Sequence, residues 1–126
     1  MNRWISISLA ITICSAVAAE KFKNVTVEEF DKLRKQTNTA VVLDVRTPRE
    51  FAAGHIAGAT NIDWNAGDFE KRVARLDRSK TYLVHCAAGG RSAKAAEKLM
   101  SLQFTNVYNL DGGMKAWEKA AKPVEK

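Results

Sequence analysis

Residues 81–100, Thr81-Tyr82-Leu83-Val84-His85-Cys86-Ala87-Ala88-Gly89-Gly90-Arg91-Ser92-Ala93-Lys94-Ala95-Ala96-Glu97-Lys98-Leu99-Met100, decide the fold. Three patterns follow one another. Thr81 to His85 is an apolar run of strand length. Residues 86–90 are small, and Arg91 closes them. Residues 92–102 then read as a helix, with Ala93, Ala96, Leu99 and Met100 at the spacing that turns side chains inward. The whole stretch predicts a buried strand, a tight loop and a helix running back over the sheet, the unit of parallel α/β folds. The loop also has a chemical meaning. Small residues let successive backbone N–H groups converge on an anion, and a helix N-terminus adds unpaired N–H groups and partial positive charge. Arg91 adds a full charge. A thiol held there loses its proton more easily, and the thiolate is the nucleophile. A cysteine at a strand end is commonly just a small buried apolar residue; the glycines, Arg91 and the strand-loop-helix setting favour the reactive reading for Cys86.

Working outward, the same alternation recurs. Phe22 to Val25 predicts a short strand, and Thr26 with Glu29 a capping box opening a helix through residue 36 with Val27, Phe30 and Leu33 inward. Asn24-Val25-Thr26 also fits the glycosylation pattern, but capping by Thr26 is favoured. Ala40 to Val45 is a continuous apolar run with Asp44 near its end, as in a strand buried on both faces. Pro48 opens a short helix, and a glycine-rich link, 54–59, leads to a strand at 60–62. A helix is expected within 65–76 with Phe69, Val73 and Leu76 on one side, then a strand at 106–110 and a last helix after Asp111-Gly112-Gly113 with Met114, Trp117 and Ala121 toward the core. The tail from Lys122 is polar and expected to fray. The fold class is therefore α/β, with helices around a central, mainly parallel sheet.

Residues 1–19 read as a secretory signal: a positive end at Arg3, an apolar stretch from Trp4 to Val17, and small residues at 16–19 that place cleavage near Ala19 or Glu20. The stretch is short of the roughly 20 residues of a membrane span. The expected organisation is a signal peptide over 1–19 and one domain over 20–126, exported from the cytoplasm and free of the membrane after cleavage. Cys14 leaves with the signal, so Cys86 would be a lone thiol in an oxidising compartment, unusual unless used. The chain of 126 residues carries a net charge of +6, or +5 without the signal. Its basic residues are scattered and not interleaved with aromatics, which favours a solvated surface with a mild attraction for small anions over nucleic-acid binding.

Three stretches together resemble the single-domain rhodaneses, a family of sulfurtransferases. They are Leu43-Asp44-Val45-Arg46 through Glu50-Phe51 to Gly54-His55-Ile56-Ala57-Gly58-Ala59; the loop Cys86-Ala87-Ala88-Gly89-Gly90-Arg91-Ser92; and Asn109-Leu110-Asp111-Gly112-Gly113-Met114 to Trp117. The likeness covers residues 25–120, and with the leader the chain is similar to the small periplasmic rhodaneses of bacteria. The resemblance implies a three-layer rhodanese-like fold and a two-step transfer. Cys86 takes the outer sulfur of thiosulfate or a similar anionic donor, carries it as a persulfide, and yields it to cyanide or a thiol. It implies that the backbone of Ala87, Ala88, Gly89, Gly90 and Arg91 binds the donor, with Asp44, Arg46 and Ser92 in support. Asp44 is expected to brace the loop or Arg91, and Arg46 to pair with Glu50 or bind an anion. Arg91 is a substrate cation, a clamp between loop and helix, or both. His85, before the nucleophile on a strand, should point away from it, and His55 is expected to be a hydrogen-bonding turn residue. His55, His85 and Cys86 make no convincing metal set, so no metal and no cofactor are expected. The expected unit of action is a monomer, with a protein acceptor kept open.

Two rival readings stand beside this one. Cysteine phosphatases of the dual-specificity type and arsenate reductases use a similar nest, but the phosphatase loop is one residue longer than the four between Cys86 and Arg91 here, and the shorter ring suits a single sulfur. A persulfide relay or small-anion binding module acting with a protein partner is the other. The loop has no cation of its own between Cys86 and Arg91, which leaves mercaptopyruvate, polysulfide and protein persulfides open as donors beside thiosulfate.

Overall fold

The computed structural model describes residues 21–36 and 38–126; the expected signal segment, with Cys14, lies outside the described residues. Five strands form one sheet: β1 (Lys23–Val25), β2 (Ala40–Asp44), β3 (Thr60–Asn61), β4 (Thr81–His85) and β5 (Val107–Leu110), in the order β1-β5-β4-β2-β3. Every pairing is parallel, with Asp44 opposite His85 and Leu83 opposite Tyr108. The helices are α1 (Val27–Gln36), α2 (Pro48–Ala53), α3 (Phe69–Val73), α4 (Gly90–Ser101) and α5 (Gly113–Lys119).

The strands of the sheet centre are apolar throughout because both faces are covered. Leu43, Tyr82 and Val84 join Phe69 and Val73 of α3 and Ala95, Ala96 and Leu99 of α4 in one core. Val42 and Leu83, one residue out of step, join Phe30 of α1 and Met114 and Trp117 of α5 in the other. Successive side chains of a strand point to opposite faces, so one run of valines and leucines feeds two cores and produces three layers. Trp117 and Phe30 meet edge to face, their rings 6.0 Å apart.

The ends of the elements follow local chemistry. Thr26 accepts the Glu29 N–H at 3.2 Å and opens α1. Asn24 does not wait for a glycan: its side-chain oxygen accepts from Asn109 Nδ2 at 2.9 Å. Pro48 opens α2, and Thr47 and Glu50 cap it reciprocally.

Four expectations need correction. The helix within 65–76 is only Phe69–Val73, because Asp63 accepts the Asn65 N–H at 2.9 Å and holds the preceding residues in turns. In α4 the stripe facing the core is Ser92, Ala95, Ala96 and Leu99. Ala93 is half-buried, since the helix starts two residues earlier than its apolar pattern suggests. Ala121 is exposed, at φ +56°, past the end of α5. The tail does not fray: Trp117 Nε1 donates to the Pro123 carbonyl at 3.0 Å, and His55 and Glu125 exchange two backbone hydrogen bonds of 2.8 and 2.7 Å.

Candidate active site

The site lies at the C-terminal ends of β2 and β4, where loops of a parallel sheet converge. Cys86 directly follows β4 and is 1% exposed, on the α3/α4 face of the sheet. His85 points the other way, 6.2 Å from the Phe30 ring and edge-on to it. The loop then turns through Gly89 at φ +113°, a conformation that an L side chain would strain, and enters α4 at Gly90. The turn brings the Gly89 N–H to 3.0 Å from Cys86 Sγ and the Ser92 hydroxyl to 3.3 Å. Ser92 is itself buried, and its one hydroxyl proton is shared between Cys86 Sγ and the Gly89 carbonyl, 3.2 Å away.

Burial pushes the Cys86 thiol up. Hydrogen bonds from the Ser92 hydroxyl and from the backbone N–H groups of Ser92, Gly89 and Ala88 outweigh it and hold the thiol below its ordinary value. The nest of N–H groups is thus closed on the cysteine sulfur.

The loop's carbonyls are turned outward and held by α5. Met114 N–H donates to the Cys86 carbonyl at 2.8 Å and Lys115 N–H to the Ala87 carbonyl at 3.0 Å. These are unpaired donors of the first turn of a helix. The approach requires Gly113: a Cβ there would sit 2.6 Å from the Cys86 oxygen and 2.7 Å from the Ala87 carbonyl carbon, and φ is +59°. The Asp111-Gly112-Gly113-Met114 stretch is therefore the clamp that orients the loop, a role the sequence reading did not assign to it.

Arg91 bridges two helices. Its guanidinium donates to both carboxylate oxygens of Glu50, at 2.7 and 3.0 Å, and so joins α4 to α2. These bonds hold the Glu50 carboxyl down to about 2, against the opposing effect of burial and with help from Thr47. The same pair raises the Arg91 guanidinium, with the Cys86 and Asp63 charges adding to it.

The expected Arg46–Glu50 pair is not formed. Arg46 is 6% exposed and folds back on the fully buried Asp44, donating through Nε and Nη2 at 3.0, 3.1 and 2.7 Å, and reaches the Gly54 carbonyl at 2.7 Å. A buried carboxylate needs such a cationic partner, and Asp44, two residues before Arg46, takes the guanidinium that was expected to pair with Glu50. Buried in this way, Arg46 does not present a cation to a donor. Asp44 does not reach Arg91 either. It lies 3.6 Å from His85 Nε2, and His85 Nδ1 lies 3.3 Å from the Cys86 carbonyl oxygen, so Asp44 bears on the loop only through His85. Burial pushes the His85 imidazole down, which keeps it neutral. His55 is a turn residue as expected: Nδ1 lies 2.9 Å from the Phe51 carbonyl oxygen and the ring stacks on Phe51.

Sequence reasoning missed Glu50 as the partner of Arg91. Thr47-x-x-Glu50 is legible as a capping box, but a partner 41 residues away is not.

A family model described as a rhodanese-like domain matches residues 26–120. The chain is 40% identical over 106 residues to the thiosulfate sulfurtransferase GlpE of Pseudomonas putida, covering 83% of this chain and 92% of that protein. It is also 40% identical over 93 residues to the chloroplastic thiosulfate sulfurtransferase 16 of Arabidopsis thaliana, covering 66% and 78%. Among solved structures, a rhodanese-related protein from Thermoplasma volcanium matches with a TM-score of 0.70 at 30% identity, covering 82% of this chain and 98% of that one.

Proposed function

This chain belongs to the rhodanese-like family and is an enzyme of the thiosulfate sulfurtransferase type, and on that premise we propose that Cys86 is the atom carrier of the reaction. The Cys86 thiolate attacks the outer sulfur of thiosulfate. A new S–S bond forms, the old S–S bond breaks, and its electron pair leaves on sulfite. The enzyme then holds a Cys86 persulfide. Cyanide or a thiolate attacks the terminal sulfur, and Cys86 recovers its electron pair as thiolate. Each step exchanges one nucleophile for another and moves no proton, so neither His85 nor His55 is needed as acid or base.

The single observation that carries this reading is the pair of donors on Cys86 Sγ, Gly89 N–H at 3.0 Å and Ser92 Oγ–H at 3.3 Å. They favour the thiolate before attack. With the sulfur chain one atom longer, the N–H groups of Ala87 to Arg91 are the donors near the terminal anion, preorganised because α5 already holds the loop's carbonyls.

The experiment is the intact mass of the purified protein after incubation with thiosulfate and removal of small molecules. A gain of one sulfur atom, reversed by cyanide and absent in Cys86→Ser, is expected. No gain with thiosulfate, mercaptopyruvate or polysulfide on a folded protein with a free thiol overturns the reading in favour of an anion-binding module. A loaded protein that yields its sulfur to neither cyanide nor a small thiol would point to a dedicated protein acceptor. The same spectrum tests export to the periplasm, which rests on the pattern of residues 1–19: protein isolated from periplasmic extract should begin near Ala19 or Glu20. A monomer is the expected active unit, read from the elution volume of that material.

A further inference from the structure

The cation of the active loop, Arg91, is already paired with a carboxylate. Ala87, Ala88, Gly89 and Gly90 carry no charge, so Arg91 is the sole cationic side chain of the loop, and it donates two hydrogen bonds to one carboxylate, that of Glu50. That carboxylate is oriented independently of Arg91. Glu50 Oε1 accepts from Thr47 N–H at 3.3 Å and from Thr47 Oγ1 at 3.1 Å, while Thr47 Oγ1 accepts the Glu50 N–H at 3.3 Å. Two short, near-parallel bonds of 2.7 and 3.0 Å then fix the plane of the guanidinium.

We propose that Glu50 is a positioning residue that sets the charge preference of the donor site, holding Arg91 so that an anionic sulfur donor competes with a resident carboxylate for the guanidinium. The inference rests on Cys86 as sulfur carrier. In water-like surroundings a unit charge about 6 Å away changes affinity by about threefold per unit of donor charge. Thiosulfate, a dianion, is therefore disfavoured by Glu50 more than a monoanionic thiosulfonate, which offers the same outer sulfur with one charge less.

Glu50→Gln is the informative variant. Glutamine retains a carbonyl oxygen for the Thr47 bonds, as in capping boxes generally, and removes the charge. The measurement is kcat and KM for thiosulfate and for benzenethiosulfonate, with cyanide as acceptor, at about 0.01 M and about 1 M salt, where the screening length falls from about 30 Å to about 3 Å. The expected result is a fall in KM of about tenfold for thiosulfate and about threefold for the thiosulfonate at low salt, with both gains vanishing at high salt. Should the variant fail to fold, the wild-type protein still decides: its ratio of the two KM values should change less than about twofold over the same salt range.

A loss that is equal for both donors and independent of salt would make Glu50 a structural brace and overturn the inference. A wild-type ratio that climbs steeply with salt would overturn it as well, since it would mean a free Arg91 charge. These failures differ from failure of the transfer reading, in which the wild-type protein takes up no sulfur on Cys86 at all.

Discussion

At the scale of the residue, the chemistry of the site depends on what touches one sulfur atom. Cys86 is almost fully buried, and burial alone would keep it protonated. It is the hydrogen bonds that reverse the sign. Ser92 is the side chain among them, buried and bonded both to Sγ and to the Gly89 carbonyl. Replacing Ser92 by Ala removes a charge-assisted bond to the thiolate, which is worth about 1.5 kcal/mol. Ser92→Ala should therefore raise the thiol pKa, read from the pH dependence of alkylation by iodoacetamide, and the alkaline-rising limb of sulfur loading should move with it. An unchanged alkylation profile would mean that the backbone N–H groups alone set the thiolate. Arg46 shows a different lesson at the same scale. A guanidinium in a family motif near the site turns out to be a buried partner for Asp44, and an Arg46 substitution would leave a buried carboxylate without its ion pair.

At the scale of the element, the loop is shaped from behind by α5. The first-turn N–H groups of Met114 and Lys115 hold the carbonyls of Cys86 and Ala87, and only a residue without Cβ lets the helix come that close. Gly113→Ala places a methyl within 2.6 Å of the Cys86 oxygen. It must push the helix and the loop apart as well as strain a positive φ, a combination worth about 3 kcal/mol of stability. Urea unfolding should show that loss, and turnover should fall by more than tenfold because the N–H groups leave the sulfur. Retained turnover at reduced stability would show that the loop holds its shape without α5. The short α2 contributes in the same manner: its capping box exists to start a helix, and in doing so it aims Glu50 at Arg91.

At the scale of the whole molecule, charge pairs tie the C-terminal tail to the body. Asp31 of α1 is 5% exposed and bonded to Arg34, Lys35 and, from the tail, Lys122. Burial raises its carboxyl, but the hydrogen bonds of Lys35, Arg34 and Lys122 bring it from 3.8 down to about 2. A depressed folded-state value means that the unfolded chain takes up the proton first as pH falls. The stabilisation is complete above about pH 4 and is lost as pH drops toward 2. Asp31→Asn should therefore lower the unfolding free energy at neutral pH by about 2 kcal/mol and flatten its decline between about pH 4 and pH 2, as followed by urea titrations at a series of pH values. An equally steep decline in the variant would place the acid sensitivity elsewhere, with Glu50 and Asp77 as further depressed carboxyls among the described residues.

The sequence by itself determined the layered α/β plan, since apolar runs too long for one face must be strands covered on both sides, and the strand-loop-helix at 81–100 placed Cys86 at the C-terminal end of a strand under converging N–H groups. Caps, turns and the nucleophile's setting are local, and local chemistry is written in neighbouring residues. What only the tertiary structure decided is which partners meet across the chain. Arg91 finds Glu50 from 41 residues away, Arg46 turns to Asp44, the first turn of α5 holds the loop, and residues 122–126 dock on Trp117 and His55. Each of these is settled by how helices stack on the sheet, a geometry that residue spacing does not carry. The tail was misread for the same reason: a polar segment looks free until the indole N–H and strand-like backbone it satisfies are in place.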